Sequence, residues 1–214
     1  MKISPHSKLL FIGDSVTDCG RTQPVGEGLF EPYGKGYVNI VAGHLGAAFP
    51  AAHIRVVNVG CSGDTVRSLK ARWQRDVVDL KPDWLSIMIG VNDVWRQFDT
   101  PMLPEGHVLL DEYEQTLDEL VRTTLPTVKG LVLMTPHYIE PNPEDAMRAR
   151  MDQYGAVVKR VAARYGTLLV DTQAAFGCVL EHTHSAAIAW DRVHPDVVGH
   201  TVLARAFLAA IDAL

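Results

Sequence analysis

The chain is poor in cysteine. Only Cys19, Cys61 and Cys178 occur, far apart and odd in number. They make no disulfide framework and no metal-ligand spacing, and they read as small buried or half-buried thiols. An excess of positive charge is also missing. Twenty Lys and Arg face 25 Asp and Glu, a formal charge of −5, so the chain has no basic footprint for nucleic acid. No apolar run is long enough to span a bilayer, so no membrane partner is expected. Met1-Lys2-Ile3-Ser4-Pro5-His6 lacks the regions of a secretory signal, and a cytoplasmic location is expected. Internal repeats, low-complexity tracts and linker-like breaks in composition are all absent, so one domain over residues 1–214 is expected.

What the chain does have is core material, with 47% apolar and 21% charged residues. Leu9-Leu10-Phe11-Ile12 runs straight into Gly13-Asp14-Ser15 and reads as a short strand buried on both faces. Similar runs follow at 54–59, 84–89, 130–134 and 167–171. Helical spacing falls between them, over 37–45, 65–80, 111–125, 145–165, 172–180 and 196–214. A long Gly- and Pro-rich loop, 22–36, follows the first strand.

Strands alternating with helices predict an α/β fold, a three-layer α/β/α sandwich around a five-stranded parallel sheet. Right-handed crossovers put every strand's carboxyl end on one edge. The exit loops with Ser15, Gly63, Asn92 and His137 then share that edge, where open α/β sheets bind ligands.

A serine hydroxyl is a weak nucleophile until a base takes its proton. Trp190-Asp191-Arg192-Val193-His194-Pro195 offers His194 as that base. Asp191, three residues earlier on a turn, can reach the other imidazole nitrogen and fix its tautomer. The backbone amides of Ser15 and Gly63 and the side-chain amide of Asn92 are candidate oxyanion donors. Asp14 is expected to hydrogen-bond the turn beneath Ser15. Trp95 and Trp190 flank these loops as candidate pocket walls. Arg21 and Tyr138 are candidates for the rim.

Other readings are weaker. His182 and His184 would need more ligands than the neighbouring sequence offers, so no metal is expected. Gly26-Glu27-Gly28 opens no helix, so no dinucleotide or other cofactor is expected.

In order along the chain, Gly13-Asp14-Ser15, Gly63, Gly90-Val91-Asn92-Asp93 and Asp191-Arg192-Val193-His194 resemble the four sequence blocks of the SGNH hydrolases, or GDSL esterases. The resemblance spans nearly the whole chain. It implies the flavodoxin-like sheet of that superfamily and a Ser15, His194 and Asp191 triad. It also implies an oxyanion hole from the Ser15 and Gly63 amides and the Asn92 side chain. Longer stretches, 11–21, 88–97, 171–176 and 189–195, are similar to bacterial intracellular acetylxylan esterases. That similarity implies a serine esterase removing acetyl groups from acetylated xylo-oligosaccharides, with a small acyl pocket.

Two departures stand out. Val91 replaces a common isoleucine, and His137 follows Thr135-Pro136 where an aromatic is expected. Alternatives on the same scaffold are a general short-chain esterase, a thioesterase or a lysophospholipase. Outside that class stands a non-catalytic carbohydrate-binding module. Apolar, aromatic-bearing loops at the active edge also predict a homo-oligomer.

Overall fold

In the computed structural model, which describes residues 1–214, five parallel strands lie in the order β2-β1-β3-β4-β5. They are β1 (Lys8–Gly13), β2 (Arg55–Asn58), β3 (Trp84–Met88), β4 (Gly130–Met134) and β5 (Leu168–Val170). β1 lies between β2 and β3, with Leu9 opposite Val56 on one side and Trp84 on the other. Because helices cover both faces, β1 is apolar at both alternating positions. Leu10 and Ile12 enter one core and Leu9 and Phe11 the other. β3 divides the same way, with Leu85 and Ile87 opposite Trp84 and Met88.

Two helical layers close those cores. One contains α3 (Val66–Ala71), α4 (Val91–Asp99), α5 (Leu110–Thr124) and α6 (Ala146–Tyr165), with α5 packed against α6. The other contains α2 (Tyr37–Ala48), α7 (Thr172–Leu180) and α8 (Val197–Ala210), with α2 packed against α8. A single turn, α1 (Ser15–Asp18), leaves β1. Asp145 caps α6 through the amides of Met147 and Arg148, and Asp196 caps α8 through those of Val198 and Gly199. No helix is long and apolar enough to cross a membrane.

Three local expectations need correction. The expected helix 65–80 is interrupted: α3 ends at Ala71, and Gln74–Val78 forms a π turn. The break lies at Arg72, whose side chain turns inward to four oxygen partners described below. Such π turns gather at functional sites.

Residues 90–93 are not merely an exit loop, because Val91–Asp99 is helical. Its inward stripe is short, and the Asn-Asp pair resembles turn chemistry. Gly90 at φ +131° makes the sharp turn into it, and a Cβ there would meet the Tyr113 hydroxyl at 2.9 Å. Cys178 is exposed on the outer side of α7 rather than buried; Phe176 takes the inward position.

The 22–36 loop is tied down. Gly26 and Asn58 exchange two backbone hydrogen bonds of 2.9 Å. The Asn58 carboxamide also donates to the Thr17 and Tyr33 carbonyls at 2.7 and 2.9 Å.

Candidate active site

β1 delivers Ser15 to the carboxyl edge of the sheet. Gly13 permits the close approach there, since a Cβ would lie 2.3 Å from the Met88 carbonyl oxygen. Buried Asp14 then caps α1, accepting from the Val16 amide at 3.0 Å, as expected of it. Burial raises the Asp14 carboxyl to about 7 against that amide's opposing pull.

Ser15 Oγ lies 2.8 Å from His194 Nε2, and His194 Nδ1 lies 2.6 Å from Asp191 Oδ2. The other Asp191 oxygen accepts the amides of Val193 at 2.9 Å and His194 at 2.8 Å. Partial burial of Asp191 would raise its pKa. The hydrogen bonds from the His194 ring and the two amides outweigh burial and hold the carboxyl below its ordinary range. A carboxylate on Nδ1–H leaves Nε2 free to accept the Ser15 hydroxyl proton.

His194 stands on an irregular segment that neighbouring contacts pin. Ile139, just beyond β4, donates its amide to the Arg192 carbonyl at 2.8 Å. Arg192, at φ +62°, reaches Glu140 with a 2.6 Å ion pair. The Asp196 amide closes the segment onto the Ile188 carbonyl at 2.7 Å.

Two other exits, after β2 and β3, share this edge. Gly63 is exposed at φ +86°, with no neighbouring atom within 4 Å of where a Cβ would stand. Its loop is held by Asp18, which accepts both the amide and the hydroxyl of Ser62, at 3.1 and 2.7 Å. Asn92 is buried in the first turn of α4, and its carboxamide donates to the Asp64 carbonyl at 3.0 Å. Beside it, Asp93 accepts the Val66 amide on both oxygens, at 2.9 and 3.2 Å. Asp93 is fully buried, and burial lifts its carboxyl to about 8 despite that hydrogen bond.

Arg72 locks these pieces from beneath. Its guanidinium donates to the carbonyls of Val59 at 2.7 Å and Gly13 at 3.0 Å. It also pairs with Asp64 at 2.6 Å and Asp76 at 2.8 Å, all three side chains being close to buried.

The remaining sequence candidates separate. Trp95 is half-buried, its ring 5.7 Å from the imidazole of His194. Trp190, one residue before Asp191, is 84% exposed. Arg21 is not at the rim: it is buried as a strut on the carbonyls of Gly60, Thr22 and Pro24, at 2.7, 3.0 and 2.8 Å. Tyr138 is half-buried beside Arg192, with its amide donating to Gln173 Oε1 at 2.9 Å.

His137 leaves the open edge for the core, where it packs on Phe176 with ring centroids 4.7 Å apart. Neither ring nitrogen makes a hydrogen bond of normal geometry. Burial lowers its pKa to about 3, aided by the nearby histidines, although the Val193 backbone lies close enough to oppose this.

Cys19 meets His200 at 3.4 Å, but the His200 Nδ1 already accepts the Tyr37 amide at 3.2 Å. The Nε2 of a neutral His200 is therefore a donor and takes no proton from the thiol, which burial pushes up. Arg72, Arg96, Glu140 and Arg192 escaped the sequence reading as structural partners of the site. Arg72 had left a signal, as a charge inside the apolar spacing Leu69, Trp73, Val77.

A nucleophile-base-acid chain thus stands at the carboxyl edge of the sheet, an arrangement suited to acyl transfer. Residues 11–202 match the GDSL-like Lipase/Acylhydrolase family. An acetylxylan esterase of Geobacillus stearothermophilus is 62% identical over 211 residues, 99% of this chain and 96% of that protein. The crystal structure of that organism's acetylxylan esterase Axe2 superposes with a TM-score of 0.98 at 62% identity, covering 99% and 96% of the two chains. Axe2 variants described as catalytic mutants replace a serine, an aspartate and a histidine. LAE5, an alpha/beta hydrolase from the metagenome of Lake Arreo, Spain, is 58% identical, covers 100% of this chain and 99% of its own, and gives a TM-score of 0.99.

Proposed function

Because this chain belongs to the GDSL-like lipase/acylhydrolase family, we propose that it is a serine esterase that removes acetyl groups from acetylated xylo-oligosaccharides. The observation that carries the mechanism is the hydrogen-bonded chain from Ser15 Oγ through His194 to Asp191. The likeness to the Geobacillus acetylxylan esterase supports the substrate class.

Ser15 Oγ attacks the acetyl carbonyl carbon while its proton passes to His194 Nε2. Asp191 holds the resulting imidazolium. The amides of Ser15 and Gly63 and the Asn92 carboxamide receive the oxyanion. His194 then gives the proton to the departing sugar oxygen, which leaves Ser15 acetylated. Water attacks the acetyl-enzyme with His194 again as base, and acetate is released with Ser15 restored.

Two further readings belong to the same proposal. Large apolar side chains stand in solvent, among them Phe30, Leu29, Trp190, Met102 and Val197. Such exposure supports burial against further copies of the chain in a homo-oligomer. Three free thiols, one of them exposed, suit a reducing compartment and support a cytoplasmic setting.

The test measures acid release from acetylated xylo-oligosaccharides, peracetylated monosaccharides, longer-chain nitrophenyl esters and acyl-CoA thioesters. Acetylated sugars are expected to turn over fastest, and a preference for long acyl chains or thioesters would overturn the substrate reading. A fluorophosphonate is expected to label Ser15. Ser15→Ala is expected to lose the label and about a millionfold in kcat with the fold retained. A variant that keeps its turnover would remove Ser15 from the mechanism.

A further inference from the structure

We propose that Arg96 is a positioning residue, which fixes the orientation of the Asn92 carboxamide and braces the Trp95 indole beside the base. The inference rests on the esterase reading and deepens its oxyanion side. Asn92, Trp95 and Arg96 stand at i, i+3 and i+4 of α4, so they share one face of its first turns.

Arg96 Nη2 donates to Asn92 Oδ1 at 3.1 Å, while Asn92 Nδ2 donates to the Asp64 carbonyl at 3.0 Å. A guanidinium only donates and a carbonyl only accepts. A flipped Asn92 would set donor against donor and acceptor against acceptor. The two partners together therefore allow a single orientation. Asp64 takes one hydrogen of the NH₂ group, and the second remains for the substrate oxyanion. Charge on Oδ1 also draws electron density through the amide, which strengthens both N–H donors.

Arg96 is itself held. It pairs with Asp99, and its guanidinium carbon lies over the Trp95 ring, 4.9 Å from the centroid. That same ring is 5.7 Å from the His194 imidazole. One planar cation thus touches both the donor that receives the negative charge and the aromatic face beside the base. A lysine ammonium cannot stack and fork in this way.

The experiment compares wild type with Arg96→Met, Asn92→Ala and the double variant on an acetylated sugar. Arg96→Met is expected to lose about tenfold in kcat, less than loss of the whole Asn92 donor, with KM nearly unchanged. In the Asn92→Ala background the same substitution is expected to cost nothing more. Additive losses, or a loss carried by KM, would overturn the proposal.

A second readout needs no turnover. The Asn92 side-chain ¹⁵N–¹H pair, assigned by its disappearance in Asn92→Ala, is expected to shift and exchange faster in Arg96→Met. Unmoved resonances in a folded variant would also overturn the proposal. Wild type without esterase activity, but with the amide locked by Arg96, would sink the esterase reading alone. Should Arg96→Met lose its thermal transition, Arg96→Gln carries the same comparison.

Discussion

The two halves of the sheet's active edge are held together in different ways. The nucleophile half, where β1, β2 and β3 exit, rests on a buried polar network. Arg72 gathers Gly13, Val59, Asp64 and Asp76, while Asp18 and Asp93 stitch the Ser62 and Val66 amides to it. The base half, beyond β4 and β5, carries His194 on an irregular segment. Its ties are a backbone hydrogen bond at Ile139, the Glu140–Arg192 ion pair and local turns. On the first side, the contacts that place the loops are nearly buried ion pairs, so their loss is expected to cost the fold as well as the site. On the second, the one ion pair is partly exposed, so its loss is expected to cost the fold little.

The sharpest break of that comparison is Arg72→Met. It strips a nearly buried Asp64 of its cation and leaves Asp76 only Arg75. Removing one partner of a buried pair typically costs about 3–5 kcal/mol, so urea unfolding is expected to show a loss of that size. A loss below about 1 kcal/mol, the range of surface pairs, would place the network outside the fold's stability.

A smaller effect is expected beneath the base half, at His137. Its folded pKa of about 3 lies below the ordinary value of 6.5. Between those values the unfolded chain binds a proton that the folded chain does not. This contribution is therefore fully present above about pH 6.5 and is lost as pH falls toward 3. Relative to His137→Phe, wild type is expected to lose about 2 kcal/mol of stability between pH 7.5 and pH 5. Parallel pH dependence in the two proteins would mean that His137 finds a proton partner in the fold.

The smallest change in stability belongs to Glu140→Gln. Arg192 is partly exposed, so screening keeps the pair's worth under about 1 kcal/mol. The variant still offers an acceptor to the Asn142 amide but no charge to Arg192. Its melting temperature is expected to stay within a few degrees, while kcat falls several-fold as the His194 segment loosens. A stability loss as large as that of Arg72→Met would erase the contrast between the halves.

How much of this was legible in the sequence depended on what set each element. β4 and α7 lie where their residues placed them, at 130–134 and 172–180, because apolar runs and a capping Asp171 mark their limits. The serine, aspartate and histidine were legible because their chemistry fixes residue type. α4 was hidden because Asn92 and Asp93 resemble a turn until their buried partners are known. Arg21 looks like a rim charge, and only the fold reveals the carbonyls of Gly60, Thr22 and Pro24 that it satisfies. His137 stood where an aromatic was expected, and its ring packs on Phe176 as an aromatic would. Trp190 shows the converse: its residue type could not say whether the indole faces a pocket or solvent.

The bond between Ser15 and His194 joins residues 179 apart in sequence, while the rest of the charge chain spans three. Closing so long a loop is among the most entropically demanding contacts available to this chain. Aspartate and histidine can meet in a short local turn long before either meets the serine. Recovered turnover during refolding therefore reports completion of the topology from the first strand to the last crossover. A spectroscopic probe of helix content would reach its plateau earlier. The gap between the two signals would time the docking of the C-terminal segment onto the finished sheet.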